Sequence, residues 1–436
     1  MFKRLSIASF IALTTFNSTV IADSLLQVYQ TAKIKDPIIL KSKAQYDLYL
    51  EKINEADAAL LPQIGFGLNT GYTRASKEHA TNSSYGANLS LTQSLYNGSY
   101  WQELEIVEKQ AIQYATLYGY AAQDLLFRSS KAYFNILRAD ETVKSVKANK
   151  RAVERQLEQT KQRFDVGLIA ITDVHEAQAE FDRTNADLIF AENKLANSYY
   201  TLRELTGTDV LNVSYLNTEI FTPQSIQGDV EFWHNKALEN NLQLHSKRIS
   251  KDLAKMQIEL AETGHLPTLD FTAGLGYNNT NNKIGSDLDM STGSIGLQLN
   301  VPLYTGGAIT SRVKQAQYAY VMASEDLVQT FRSIEAQINS GYNNVRASLS
   351  SIAAYEQTVK SSNSALEATE AGFEVGTRTI VDVLDATRSL YASENQLANA
   401  RYDHIINMLQ LKYSTGTLSE QDIMDVSAGL IEAETK

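Results

Sequence analysis

The chain repeats itself, and this limits its fold more than any other feature. Phe164-Asp165-Val166-Gly167 and the following Thr172-Asp173-Val174 recur as Phe373-Glu374-Val375-Gly376 and Val381-Asp382-Val383. The correspondence runs without a gap until Leu202, Thr206 and Gly207 meet Leu411, Thr415 and Gly416. Upstream, Leu61-Pro62 answers Leu266-Pro267, and Leu95-Tyr96-Asn97-Gly98 answers Leu303-Tyr304-Thr305-Gly306. A duplicated unit has to fold twice in the same way, so an element assigned in one half is tested in the other.

Each half holds two stretches of strict alternation. Ile64, Phe66, Leu68 and Tyr72 fall on one side and Gly65, Gly67, Asn69 and Gly71 on the other; Tyr85, Ala87, Leu89, Leu91 and Leu95 likewise oppose Gly86, Asn88, Ser90, Thr92 and Ser94. Leu269, Phe271, Ala273, Leu275 and Tyr277, then Ile295, Leu297, Leu299 and Val301, repeat the pattern. Period two means strands with one apolar face. The polar faces are Gly, Asn, Ser and Gln, with Asp270 nearly the only charge. A soluble sandwich would show charged residues to water, whereas small uncharged side chains suit a narrow wet lumen. Tyr72, Tyr85 and Tyr277 sit toward strand ends, where outer-membrane barrels carry aromatic girdles, and strands of about 10 to 12 residues suffice to cross a bilayer.

Four strands cannot close a barrel, because single-chain barrels begin at about eight. An open edge in hydrocarbon would leave backbone groups unpaired at several kcal/mol each. Copies of the chain must share one barrel. Two copies give eight strands with a filled bore; three give twelve and room for a passage, the arrangement expected here.

The start of the chain fits this compartment. Lys3 and Arg4 precede an apolar stretch from Leu5 to Phe16, and Val20 and Ala22 stand where signal peptidase needs small residues, so residues 1–22 read as a signal peptide. No later segment has the 18 consecutive apolar residues of a membrane helix. The net charge of −11 argues against a nucleic-acid partner, which needs a basic face. The absence of cysteine excludes disulfides, thiolate metal sites and cysteine nucleophiles.

Helices fill the remaining length. From Gln63 to Thr222 there is no proline, and Leu104, Ala111, Ala115, Leu125, Tyr133 and Leu137 recur at heptad-like spacing. A helix between Asn97 and Val166 would run roughly 105 Å at 1.5 Å per residue, longer than any globular core. The second half repeats it from Thr305 to Val375, and Gly167 and Gly376 supply left-handed caps from which return helices start, near Ile171–Leu205 and Ile380–Tyr413. Shorter helices near Ile38–Leu61 and Leu242–Glu262 lead into the strands. The expected organisation is a first repeat over 23–215 with a hairpin at 62–96, a linker at 216–241, a second repeat over 242–418 with a hairpin at 267–303, and a tail at 419–436. Linker and tail form a collar where the short helices meet.

At Gly376-Thr377-Arg378-Thr379-Ile380-Val381-Asp382-Val383-Leu384-Asp385-Ala386, at Gly264-His265-Leu266-Pro267-Thr268-Leu269 and at Val313-Lys314-Gln315-Ala316-Gln317-Tyr318, the sequence resembles the TolC family of trimeric outer-membrane channels, and the resemblance covers essentially all of the mature chain. It implies an α+β membrane protein: a homotrimer whose 12-stranded β-barrel in outer-membrane lipid continues into a 12-helix periplasmic α-barrel. It also implies an exit duct for multidrug efflux and type I secretion, opened by a periplasmic membrane-fusion adaptor together with an inner-membrane efflux pump or ABC secretion transporter.

The site residues follow from that resemblance. Asp382 and Asp385 are three apart and share a helix face. On residue type alone they read as a solvated face or as acidic residues favoured near a helix N-terminus; the resemblance instead places them in a ring at the periplasmic aperture, where crowding would raise some pKa values and di- or trivalent cations would block. It further assigns Arg378, Thr172, Asp173, Gln156 and Glu370 to the network of the closed state. The family position usually held by Tyr is Phe373 here, so a phenolic hydrogen bond to Asp173 is lost, worth about 1 kcal/mol per protomer. The turns Val166-Gly167-Leu168 and Val375-Gly376-Thr377 would contact the adaptor; as an isolated pattern they are helix ends.

Catalytic signatures are missing. His175-Glu176 opens like a zinc-protease helix, but residue 179 is Ala, and Gly65-Phe66-Gly67 lacks the third glycine of a dinucleotide loop. No cofactor is expected. The alternatives to an exit duct are a free-standing porin, which has no use for such long helices, and a barrel-anchored enzyme, for which no acid, base or nucleophile set is found.

Overall fold

The computed structural model describes residues 24–74, 81–210, 213–217, 221–282 and 288–431. The signal-peptide assignment, residues 218–220 of the linker and the last residues of the tail lie outside the described residues. Each half begins with a pair of short helices, α1 (Leu25–Lys35) and α2 (Pro37–Ala58) in the first, α5 (Val230–Asn240) and α6 (Leu242–Glu262) in the second. A hairpin follows, β1 (Gln63–Arg74) and β2 (Thr81–Tyr96), or β4 (Thr268–Asn282) and β5 (Leu288–Asn300). Then come the long helices α3 (Gly98–Asp165) and α7 (Ala308–Glu374) and the return helices α4 (Ile171–Thr206) and α8 (Ile380–Thr415). Between the halves lies β3 (Tyr215–Leu216), and α9 (Glu420–Ser427) and β6 (Leu430–Ile431) end the described chain.

At 68 and 67 residues, α3 and α7 match the length expected from the sequence. Asn97 caps α3 by accepting from the Ser99 amide, and Gly207 and Gly416 close α4 and α8 in left-handed conformation. The short helix α1 was not foreseen. Ser24 and Gln27 form a capping box at its start, and Asp36 ends it while capping α2, whose first residue Pro37 cannot continue α1.

The strands form one antiparallel sheet in the order β1-β2-β4-β5. At 16 and 15 residues, β2 and β4 are longer than the expected 10 to 12 and continue past the apolar band. The apolar face is bare: Ile64, Phe66, Leu68, Leu275, Ile295, Leu297 and Leu299 are all exposed. Tyr85 and Tyr277 meet at 6.3 Å near one end of this band, and Tyr96 and Trp101 meet at 5.5 Å at the other; Leu303 and Tyr304, just after β5, are exposed as well. Two aromatic clusters thus bound the exposed apolar zone of the sheet, the pattern found on the lipid-facing surface of membrane strands. Among the described residues no helix is long and apolar enough to cross a membrane.

The main core lies at mid-length. Leu25, Val28, Tyr29 and Ala32 of α1 pack with Leu125, Tyr133, Phe134 and Leu137 of α3, Leu202 of α4, Leu409 of α8 and Ile423 of α9. Arg128 reaches the buried Asp36 with two hydrogen bonds of 2.9 and 3.1 Å, so the α1–α2 corner is fixed to α3. The tail is tied in by Glu420, which accepts from Tyr29 and Lys33, and by pairing of β6 with β3. His404 of α8 is buried between the Ser348 hydroxyl and the Gln224 carbonyl and pins the stretch before α5; burial lowers its pKa.

Toward the sheet the helices neighbour one another as α2, α3, α6 and α7; beyond the collar they do so as α4, α3, α8 and α7. Four helices thus stand side by side at each level.

Candidate functional site

The two helical turns lie at the end farthest from the sheet. Gly167 and Gly376 have φ of 76° and 79°, where L-residues are strained, and each is followed by an amide that reaches back five residues: Leu168 to the Arg163 carbonyl at 2.9 Å and Thr377 to the Gly372 carbonyl at 2.8 Å. The return to α4 and α8 is therefore fixed by hydrogen bonds, while Val166, Leu168 and Val375 stand more than 70% exposed. Apolar side chains held that far into solvent cost free energy unless another surface covers them.

Behind the turns is a small core of Val153 and Leu157 from α3, Ala177 from α4, and Ile380, Val383 and Leu384 from α8, with Phe181, Leu366 and Phe373 against it. It joins the two hairpins, one from each repeat. Above it a groove of about 590 Å³ brings together Gln156, Glu370 and Phe373, three residues singled out in the sequence, with Arg163 and Glu374. The Arg163 guanidinium lies 4.4 Å from the Phe373 ring centroid. This contact was not read from the sequence: Arg163 and Phe373 come from different repeats, and no local pattern pairs them. Gln156 Oε1 is buried without a hydrogen-bond partner among the described residues.

Thr172, Asp173 and Arg378 are not part of that groove. The Thr172 hydroxyl sits 3.5 Å from Asp173 Oδ1. The Arg378 stem folds over Gly372, where a Cβ would come within 2.7 Å of Arg378 Cγ. Within one chain Arg378 forms no side-chain bond to Thr172 or Asp173 among the described residues.

In one chain Asp382 serves as a helix cap. Thr379 and Asp382 form a reciprocal capping box at the start of α8: the Thr379 amide and hydroxyl donate to Asp382 Oδ2 at 2.8 and 2.9 Å. The Thr379 amide, followed by its hydroxyl and the nearby Arg378 charge, holds the Asp382 carboxyl below the usual carboxylate range rather than above it. Asp385 pairs with Arg388 at 2.7 Å on the exposed surface. The first repeat lacks this device, since Ala170 caps α4 without a side-chain bond. Among the described residues no cluster of His, Cys, Asp or Glu could hold a metal ion.

A sheet with one bare apolar face and a shaft of helices about 100 Å long suit a conduit. The sequence pattern of the family described as "Outer membrane efflux protein" matches residues 28–208 and 233–417, one stretch for each repeat. The chain belongs to the outer membrane efflux protein family. It is 47% identical over 422 residues to the outer membrane protein TolC of Vibrio cholerae serotype O1, covering 96% of both chains. The alkaline protease secretion protein AprF of Pseudomonas aeruginosa is 28% identical over 423 residues, 94% of this chain and 88% of that one. Among solved structures, the Campylobacter jejuni CmeC outer membrane channel superposes with a TM-score of 0.79 at 15% identity, covering 99% of this chain and 98% of CmeC, which shows a shared fold. As a member of this efflux family the protein resides in the outer membrane, with its helical tunnel in the periplasm, and provides an exit duct across that membrane.

Proposed function

We propose that three copies close one twelve-stranded barrel and one twelve-helix tunnel, which passes efflux cargo and type I secretion substrates delivered by an adaptor and an inner-membrane transporter. The observation that carries this reading is the pair of unpaired sheet edges, β1 and β5, on a sheet whose outer face is apolar. Hydrocarbon does not tolerate open edges, and closure by further copies removes them. The helical shaft has matching edges: Tyr318, Val321, Met322, Val328 and Phe331 of α7 are exposed, as are Leu48 and Leu50 of α2 and Ile189, Phe190 and Tyr200 of α4. Apolar strips of this kind are what a neighbouring α2 and α4 would cover along α7. Secretion substrates enter the reading because AprF carries protease secretion in its name.

The duct is passive and has no chemistry of its own. Its resting state is closed at the tip, with the Arg163–Phe373 contact holding the two hairpins of each protomer and the network of Gln156, Thr172, Asp173, Glu370 and Arg378 acting within and between protomers. An adaptor covers Val166, Leu168 and Val375 and separates the hairpins. Asp382 and Asp385 make the aperture cation-selective. Purified protein should run as a trimer in detergent, conduct in planar bilayers, and restore drug efflux to a deletion strain only when adaptor and pump are present. Full complementation without an adaptor would instead support the free-standing porin.

A further inference from the structure

The inner face of the sheet carries a rule that extends beyond one chain. In the middle of the sheet the paired residues alternate between glycine and a hydrogen-bonding side chain, Gly65, Ser90, Gly274, Ser294 in one row and Gly67, Asn88, Gly276, Thr292 in the next, whereas nearer the helices Gln63, Thr92 and Thr272, and Ser94, Asp270 and Gln298, stand side by side. The row after that of Gly67 begins Asn69, Gly86, Asn278, with the phase reversed. The space in front of each glycine is filled by its neighbour. A Cβ on Gly67 would meet Asn88 Oδ1 at 2.5 Å, one on Gly276 would meet Thr292 Oγ1 at 2.7 Å, and one on Gly86 would meet Asn69 Oδ1 at 2.8 Å. Each of these polar side chains lies across the strand beside it, so a glycine opposite gives it room, and two glycines facing one another would leave a gap.

Three-fold closure, on which this argument rests, restricts how β5 meets β1 of the next copy. Symmetry makes the stagger the same at all three seams, and inward residues face inward only if the stagger is even. With a rise of about 3.3 Å and a strand spacing of about 4.8 Å, staggers of two, four, six and eight residues tilt the strands by about 19°, 35°, 46° and 54°, against the usual 35–45°. Four and six remain. The opposite sense of stagger carries Ser294 past Gln63, where the strand has not begun.

We propose that β5 pairs antiparallel with the partner's β1 at a stagger of six residues, placing Ser294 opposite the partner's Gly71, Gly296 opposite the partner's Asn69, Gln298 opposite the partner's Gly67 and Asn300 opposite the partner's Gly65. Each of these four pairs sets a glycine against a hydrogen-bonding side chain, as in the middle rows of the chain's own sheet; the remaining described inward pair is Thr292 opposite the partner's Thr73. A stagger of four matches only Thr292 with the partner's Gly71 and Gln298 with the partner's Gly65, and sets Gly296 against the partner's Gly67, Ser294 against the partner's Asn69 and Asn300 against the partner's Gln63. Its gain is Asp289 opposite the partner's Arg74, an exposed ion pair of small value; Asp289 already bonds Tyr277. The height of the wall agrees. Tyr85 to Tyr96 spans about 36 Å along β2, which becomes about 25 Å at the steeper tilt and about 30 Å at the shallower one, against an apolar band of about 25 Å.

The chain has no cysteine, so introduced pairs report without background. Leu68→Cys with Leu297→Cys tests the six-residue stagger, and Phe66→Cys with Leu297→Cys the four-residue one; all three side chains face lipid, and β1 and β5 are too far apart in one chain to cross-link internally. After brief oxidation in outer membranes, boiled non-reducing gels should show covalent dimer and trimer for the Leu68 pair at several times the yield of the Phe66 pair. The reverse ranking, or no cross-link from either pair in a protein that runs as an unboiled trimer, overturns the register. A membrane-inserted monomer with no cross-link overturns the trimer itself, a different outcome.

Discussion

Replacing Arg163 with Gln removes the charge over Phe373 while keeping a long polar side chain in the groove. Both residues are half-buried, and the guanidinium stands 4.4 Å from the ring centroid. A cation–π contact in such a setting is worth about 1 kcal/mol, between the exposed and desolvated limits. One clasp alone then shifts the closed-to-open ratio about fivefold; if three must part together, the shift is about a hundredfold. The assay is opening frequency of single trimers in planar bilayers, with thermal unfolding run in parallel to establish that the fold is unchanged. Arg163→Gln should raise opening frequency within those limits, Phe373→Leu should do the same, and the double variant should add little to either. Arg163→Lys should recover only part, since it keeps the charge without the flat stacking surface. If Arg163→Gln opens no more often than the parent, or if the two single effects simply multiply, the clasp does not hold the tip. Unfolding should move little, because the core of Val153, Leu157, Ile380 and Val383 is untouched.

Phe373→Tyr keeps the ring under Arg163 and adds a hydroxyl; its opening frequency should fall, and a rise would contradict the assigned network. Asp385→Asn tests the proposed aperture ring without touching the α8 cap, so block by added divalent cation should weaken while stability stays within about 0.5 kcal/mol; Asp382→Asn should weaken block too but also lower the denaturant midpoint, because it disturbs the capping box. Burial raises the Asp36 pKa, but the Arg128 guanidinium and the Ile38 and Ile39 amides outweigh it, so the group is depressed overall. Its stabilisation is therefore present above the ordinary carboxylate range and lost as pH falls through the lower folded value. Asp36→Asn should cost about 2 kcal/mol at pH 7, with Asp124 still beside Arg128, and progressively less as pH falls below the ordinary carboxylate range. Gly207→Ala should cost about 1 kcal/mol from its positive φ alone, whereas Gly416→Ala should cost several times that, because a Cβ there strikes the Asn240 carbonyl. Equal losses for the two glycines would refute this account.

The comparison of those two glycines shows where sequence reading stops. Both follow a Thr at the end of a return helix and both are left-handed, which the repeat alone announces. Only the fold places Gly416 against the α5–α6 junction and leaves Gly207 with no neighbour closer than the Lys35 stem. The aperture residues divide in the same way. Gln156, Glu370 and Phe373 were singled out and do share a groove, but Arg163, which completes it, carries no signal in its own repeat. Asp382 was read as part of a charged ring, and the local alternative of an N-terminal cap is what one chain displays.

Local spacing determined the long helices, the alternating strands, the capping glycines and the shortage of strands that requires partners, because each depends on the chemistry of residues close together along the chain. The strand order that joins β2 to β4, the collar tying α1, α9 and β6 around the middle, and the stacking of Arg163 on Phe373 were decided by tertiary structure. These contacts join residues far apart in sequence, and their free energy comes from burial and geometry that exist only once the two repeats have packed against each other.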